Sequence, residues 1–293
     1  MYTMSYVKNP PYWQSDSSSE AAMAVEKARQ LIADSSCGLR FDEKEHRYYL
    51  GGAEVPCVST IVKEYAPFDV LQKAKNCSKN PRHEHFGKTP EQILAIWEEK
   101  RDASAAAGTA VHAFGEACFL VKTGKADMVE DAFKDRLTDE GLVAMTPKEE
   151  AVARWWDDLD LERYVPVAKE LRIVNPHLRY AGTFDLLLYD LAEHHYILDD
   201  YKTNADLFRD YGEKLRPPLN VIKANDYGKY TLQQNLYKIQ LENIGINVKK
   251  VELIWLRDNG TYERVNIDDY MKLVTFAMER RLEKHKKLTL CVS

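Results

Sequence analysis

The stretch AGTFDLLLYDLAEHHYILDDYKTN, Ala181 to Asn204, constrains the chain more than any other. Two apolar runs, FDLLLY and YILDDY, bracket a polar connection from Asp190 to His194, the pattern of two strands joined by a short turn. Side chains alternate along a strand. Thr183, Asp185 and Leu187 therefore share one face of the first strand, and Tyr196, Leu198, Asp200 and Lys202 share one face of the second. A hairpin symmetric about residues 192–193 sets Asp185 across from Asp200, within one residue. Opposed carboxylates repel unless a divalent cation lies between them, and Mg²⁺ or Mn²⁺ takes such hard oxygen ligands. Lys202 adds a positive charge on the same face. An Asp facing Asp-x-Lys on the adjoining strand is the minimum equipment for metal-assisted phosphodiester hydrolysis. The plainer alternative is a solvated acidic face. Asp185 speaks for the first, because it interrupts an apolar run, where a charge is costly without a partner.

The 293 residues, 45% hydrophobic and 30% charged, suit a globular protein of one large domain or two small ones. No apolar run reads as long enough to span a membrane, and the first twenty residues lack the apolar core of a signal peptide. A cytoplasmic protein without membrane contact is the expectation. The five cysteines, at 37, 57, 77, 118 and 291, are scattered with no C-x-x-C pair. That argues against a disulfide framework, a structural zinc and an iron–sulfur cluster. A net charge of −5 does not advertise a nucleic-acid binder, though a local basic groove matters more than the total.

Residues 1–19, rich in Ser, Pro and Tyr, read as a mobile arm. An apolar stripe over 20–33 predicts a helix. Phe41 and Tyr48–Leu50 suggest two short strands, Val58–Tyr65 a helix, and 66–90 an irregular segment. Thr89-Pro90-Glu91 is a well-capped helix start. That helix runs to Gly124, with a break expected near Gly108. Residues 126–148 give no clear pattern, and Pro147–Leu161 reads as helical. From Tyr164 strands take over: VPVAKELRIV, then the Asp hairpin. A long link over 203–229 precedes a helix over 230–243, a strand VKKVELIWL and a closing helix over 267–287. This order predicts an α/β core with an N-terminal helical elaboration.

Other candidates carry two readings each. His112 lies in AAGTAVHAFGEA, a small-residue helix that can pack closely on a neighbour. It is a structural histidine or a ligand, and Glu116, one turn on, either orients it or is solvated. Glu170 shares a strand face with Ala168 and Arg172, and is either a solvent-facing partner of Arg172 or part of a metal site. Gln233 and Tyr237 share a helix face, either solvated or gripping a phosphate backbone.

Taken together, Gly108 to His112 (G-T-A-V-H), Glu170, Gly182 to Asp185 (G-T-F-D), Asp200-Tyr201-Lys202 (D-Y-K) and Gln233 to Tyr237 (Q-x-x-x-Y) resemble the PD-(D/E)XK nuclease superfamily. The likeness is to its RecB-type and phage-type exonucleases, and it covers about residues 39–289. The resemblance implies a restriction-endonuclease-like core, a mixed central sheet flanked by helices. Residues 1–38 would be an arm and helix. Residues 39–293 would be one nuclease domain, with a helical part over about 58–163 and a sheet core over about 164–293. It implies that Asp185, Asp200, the Tyr201 backbone carbonyl and His112 hold Mg²⁺ or Mn²⁺, with Glu170 left open as a further ligand. Lys202 would hold or deprotonate the attacking water and stabilise charge on the phosphate. Gln233 and Tyr237 would shape the site. The implied function is a metal-dependent DNA exonuclease acting on linear duplex or single-stranded ends, resecting them for recombination or repair. A recombinase or a single-strand-binding protein is the kind of partner this suggests, and a homo-oligomer is left open. The alternatives are an endonuclease of the same fold and a catalytically silent DNA-binding module. Branches of the family with iron–sulfur clusters place three cysteines near the C-terminus, whereas this chain has only Cys291 there, so no cluster is expected. Asp199 alternates away from the site.

Overall fold

The computed structural model describes residues 2–7, 11, 19–66, 68–210 and 212–290, the side chains of 286–290 excepted. Cys291 and residues 8–10 and 12–18 of the expected arm lie outside them. Elements follow in chain order. The first half holds β1 (Tyr2–Ser5), α1 (Glu20–Ser35), β2 (Leu39–Asp42), β3 (Arg47–Leu50), β4 (Ala53–Val55), α2 (Val58–Tyr65), α3 (Val70–Lys79), α4 (Pro90–Lys122), β5 (Gly141–Ala144) and α5 (Pro147–Asp158). The second holds β6 (Tyr164–Asn175), β7 (Tyr180–Asp190), β8 (His195–Lys202), α6 (Asp226–Asn243), β9 (Val248–Leu256), β10 (Tyr262–Asn266) and α7 (Met271–Leu290).

The centre is a five-stranded mixed sheet in the order β10-β9-β8-β7-β6. Strands β6, β7 and β8 meander antiparallel, β8 and β9 pair in parallel, and β10 returns antiparallel. Helix α6 lies between β8 and β9 in the chain, as a parallel pair requires. One face of the sheet packs on α1, α2, α6 and α7, through Ala28, Ile61, Leu236 and Ala277. The other packs on α4 and α5 and on β1 and β5, through Phe114, Trp155, Trp156 and Met4. The protein is thus α/β, a mixed sheet flanked by helices, as its sequence predicts. Burial on both faces explains why β7 and β8 read as near-continuous apolar runs. A three-stranded sheet, β2-β3-β4, packs Tyr48 and Val55 on Val174 and Ala181 at the end of the β6–β7 pair.

Several expectations change. The first residues are strand and not a loose arm: β1 pairs with β5, some 140 residues away, and Met4 is fully buried. Lys122 donates to the Ser5 carbonyl and to Asp157, which also accepts from the Tyr2 hydroxyl. Within 66–90, α3 forms behind an Asp69 cap that accepts from the Gln72 N–H at 2.8 Å. Helix α4 starts at a full Thr89–Gln92 capping box and continues through Gly108 unbroken. By length and composition it could cross a membrane, against the sequence reading; here Val111, Phe114, Cys118 and Val121 are buried within the protein. The Gly51–Gly52 turn joins β3 to β4 as an antiparallel hairpin, whereas β5 and β10 carried no clear signal.

Deleting residues 1–7 strips the edge of β5 and removes Met4 from its core. Loss of one buried Met side chain costs about 2–3 kcal/mol, which for a chain of this size is on the order of 5 °C or more in melting temperature. Differential scanning fluorimetry should show it, and an unchanged melt would mean that β1 does not hold the N-terminus down.

Candidate metal centre

Pairing Leu186 with Asp199 puts Asp185 opposite Asp200, at the open end of the β7–β8 pair. The carboxylates do not stand alone. His112, entering from α4, lies with Nδ1 3.1 Å from Asp185 Oδ2 and 3.7 Å from Glu170 Oε1. These three residues offer ligand atoms within 4.8 Å of one another, one nitrogen and two carboxylate oxygens. On the far side of Asp185, Asp200 pairs with Lys202. The Lys202 ammonium stands 4.5 Å over the ring of Tyr230.

Backbone geometry explains how these side chains meet. Glu170 sits at φ 45°, a left-handed conformation costing a non-glycine residue about 1–3 kcal/mol. The strain follows a register shift between Pro166 and Ala168. Simple alternation placed Glu170 beside Arg172; instead Arg172 lies over the Phe41 ring and near Glu43, and Glu170 turns to His112. Nor does Glu116 take either role considered for it, since it pairs with Lys169. The Tyr201 N–H donates to Asp185 at 3.2 Å, so this residue fixes the carboxylate through its amide. Its ring faces away, edge-on to His112 and Trp155. It fits only because residue 115 is glycine: a Cβ there would lie 2.8 Å from Tyr201 Cε2. Gly182 does the same for Tyr237, whose Cε1 would be 2.7 Å from an added Cβ. Tyr237 is thereby buried close to Asp185 and Asp200, beside Gln233.

The electrostatics follow from crowding. Burial opposes charge on His112, but Asp185 and Glu170 raise its pKa to about 11, so it is an imidazolium at neutral pH. Burial would also raise Asp185; the His112 charge beside it outweighs that and holds the carboxyl well below the usual range. Asp200 goes the other way: burial and the charge of Asp185 push it well up, and Lys202 only partly compensates. Its buried Oδ2 is the atom that meets the Lys202 ammonium. A cluster neutralised by a proton on His112, with three ligand atoms within 4.8 Å of one another, fits a divalent cation. A cation there would replace the imidazolium proton and let the acids ionise together. One imidazole with carboxylates suits Mn²⁺ more than Mg²⁺, which prefers oxygen alone.

Three neighbours, Tyr48, Asn204 and Tyr230, carried no sequence signal. Tyr48 shares a 2.8 Å hydrogen bond with Thr183. Asn204 bridges Asp226 and Tyr230 at 2.8 and 2.7 Å, steadying the ring beneath Lys202. Asp199, on the other sheet face, is fully buried with no hydrogen-bond partner for either oxygen among the described residues. Burial and then Glu252 push its pKa up to about 7, against Arg264 and Lys250.

No family model matches the chain, and no curated protein matches it. Among solved structures it is similar to a crystal structure from Eubacterium rectale named "Putative exonuclease", at 15% identity and a TM-score of 0.39 over 76% of this chain and 80% of that one.

Two outcomes follow from this geometry. Glu170→Gly relieves the left-handed backbone while removing a ligand oxygen. It should weaken Mn²⁺ binding in a calorimetric titration by tenfold or more without lowering the melting temperature; a lowered melt with unchanged affinity would make Glu170 structural. The second concerns Asp199, whose carboxyl is raised to about 7 in the folded protein from near 4 when unfolded. The folded state binds its proton more tightly, so this contribution to stability is full below pH 4 and lost as pH rises through 7. The melting temperature of Asp199→Asn should therefore gain on that of the parent between pH 5 and 8, and parallel pH profiles would contradict the assignment.

Proposed function

We propose that this protein is a metal-dependent nuclease that hydrolyses DNA from its ends. What carries the reading is one observation: His112, Glu170 and Asp185 gather ligand atoms within 4.8 Å, directly beside a buried Asp200–Lys202 pair. Structural ion pairs alone do not require three acids around an imidazole at an open strand end. That set can hold a divalent cation and present a lysine to whatever the cation binds.

In this reading Asp185, His112 and Glu170 hold the cation, with Asp200 and the Tyr201 carbonyl completing its shell. The cation supplies Lewis-acid charge to a phosphodiester. Lys202 is a positioned point charge. Paired with Asp200, it stands where an ammonium can orient a nucleophilic water and balance negative charge developing on phosphorus. Tyr230 and Asn204 keep Lys202 from swinging away. Tyr237, with Gln233, offers a phenol to a phosphate oxygen next to the acids. Linear substrates and resection for recombination or repair belong to the same proposal, as does a recombinase or a single-strand-binding protein as partner.

End-labelled linear DNA and closed circular DNA, incubated with Mn²⁺ or Mg²⁺, test it. Linear DNA should be shortened from an end, the circle should survive, and EDTA should stop the reaction. Lys202→Ala should reduce turnover by on the order of a hundredfold or more and still bind Mn²⁺. Undiminished cleavage in EDTA would sink the metal mechanism, and a nicked circle would make the protein an endonuclease.

A further inference from the structure

An open cleft of about 970 Å³ lies between α3 and the start of α4 on one side and α2 and the first turn of α6 on the other. Helix α3 and the start of α4 form their own small core around Ala74, Cys77 and Ile93, separate from the two cores that enclose the sheet. They stand off the body as an arm. From Glu98 to Ala110 the α4 helix is exposed at every position but Gly108. Its alanines keep it helical by propensity and not by packing.

The cleft presents two aromatic rings. Trp97 is half-buried, and Phe68 is 60% exposed, an apolar face left to water within a concave surface. Cations stand around them. Lys63 has no ion pair with a carboxylate among the described residues. Among the described residues, Arg101 pairs with the exposed Glu98 and Asp102, and Lys229 with Asp226 at 3.1 Å. Exposed pairs of this kind are worth about 0–1 kcal/mol, so a phosphate can take over either cation at small cost. Glu98, Glu213 and Asp226 also line the cleft, but two of these three already serve Arg101 and Lys229.

Its walls lead to the candidate active site. Asn204 bonds Asp226 on the cleft wall and Tyr230 beneath Lys202. Along the other wall, Arg101 precedes His112 by eleven residues of one helix, about 16 Å at 1.5 Å per residue. That is room for roughly three to five nucleotides at 3.4 Å per stacked base. Rings that stack on bases require those bases to be unpaired.

We propose that this cleft holds the unpaired end of a DNA strand and leads it to the metal cluster. Bases lie against Trp97 and Phe68, and phosphates lie toward Lys63, Arg101 and Lys229. The idea rests on the nuclease reading for its direction, but its test needs no turnover. A fluorescein-labelled 12-nucleotide single strand and the matching blunt duplex are titrated with the full-length protein in EDTA, followed by anisotropy. The single strand should bind more tightly. Trp97→Ala and Phe68→Ala should each weaken it about tenfold, one stacked base being worth about 1–3 kcal/mol, and Lys63→Gln should lower the salt slope by about one. Trp97 belongs to the arm's core, so Phe68→Ala, at an exposed position, keeps the test decisive if Trp97→Ala misfolds. Equal or tighter duplex binding, or a Phe68→Ala protein that binds the strand like the parent, overturns the proposal. Binding that depends on these rings sustains it even if no metal supports cleavage, which would count against the nuclease reading alone.

Discussion

Three acids crowded around one point would drive a strand end apart. Here they are held by two cations delivered from different directions. His112 comes from a helix on one side of the sheet, and Lys202 lies two residues from Asp200 on the strand itself. Neither the meander nor the helical layer has a site without the other. The register of β7 on β8 sets the spacing of Asp185 and Asp200, and the absence of a Cβ at Gly115 and Gly182 lets two tyrosine rings lock that register from opposite faces. The rest of the fold is support for this arrangement: two apolar layers that keep β7 and β8 from slipping by even one residue, which would exchange Asp199 for Asp200.

Much of this is written locally in the chain. The hairpin is symmetric about its turn, so counting inward from Asp190 and His195 pairs Asp185 with Asp200 without knowledge of the fold. Helix starts at Thr89 and Thr146 carry complete capping boxes, and such signals are short-range by nature. What stayed hidden depends on distance in the sequence. Nothing near Tyr2 announces a partner at Ala144. Helix α3 is masked by the prolines that flank it. Glu170 is the instructive case, because a strict period of two aims it at Arg172. The register shift beside Pro166 and the left-handed backbone redirect it, and neither leaves a trace in residue type. Glu116 likewise had a sensible partner one turn away, but Lys169, on a strand packed against the helix, outcompetes it.

Of the residues expected to hold a cation, His112, Glu170 and Asp185 lie together, and Asp200 stands beside them with its charge engaged by Lys202. Strained backbone at a candidate ligand such as Glu170 has a physical logic: a residue held in a poor conformation is already where binding would need it, so less order would have to be imposed later. The sheet layer opposite is equally unforgiving, since Asp199 is fully buried and Glu252 opposes its charge.

Helix α4 runs without a break from its Thr89 cap to Lys122. Its first turns belong to the protruding arm, its last to the body, and His112 lies between, near where burial begins. A rod of this kind has no hinge along its length. Any tilt of the arm must therefore turn about the buried segment, and His112, close to that fulcrum, would rotate by the same angle while moving only a little. The imidazole's direction, more than its position, is what such a lever adjusts.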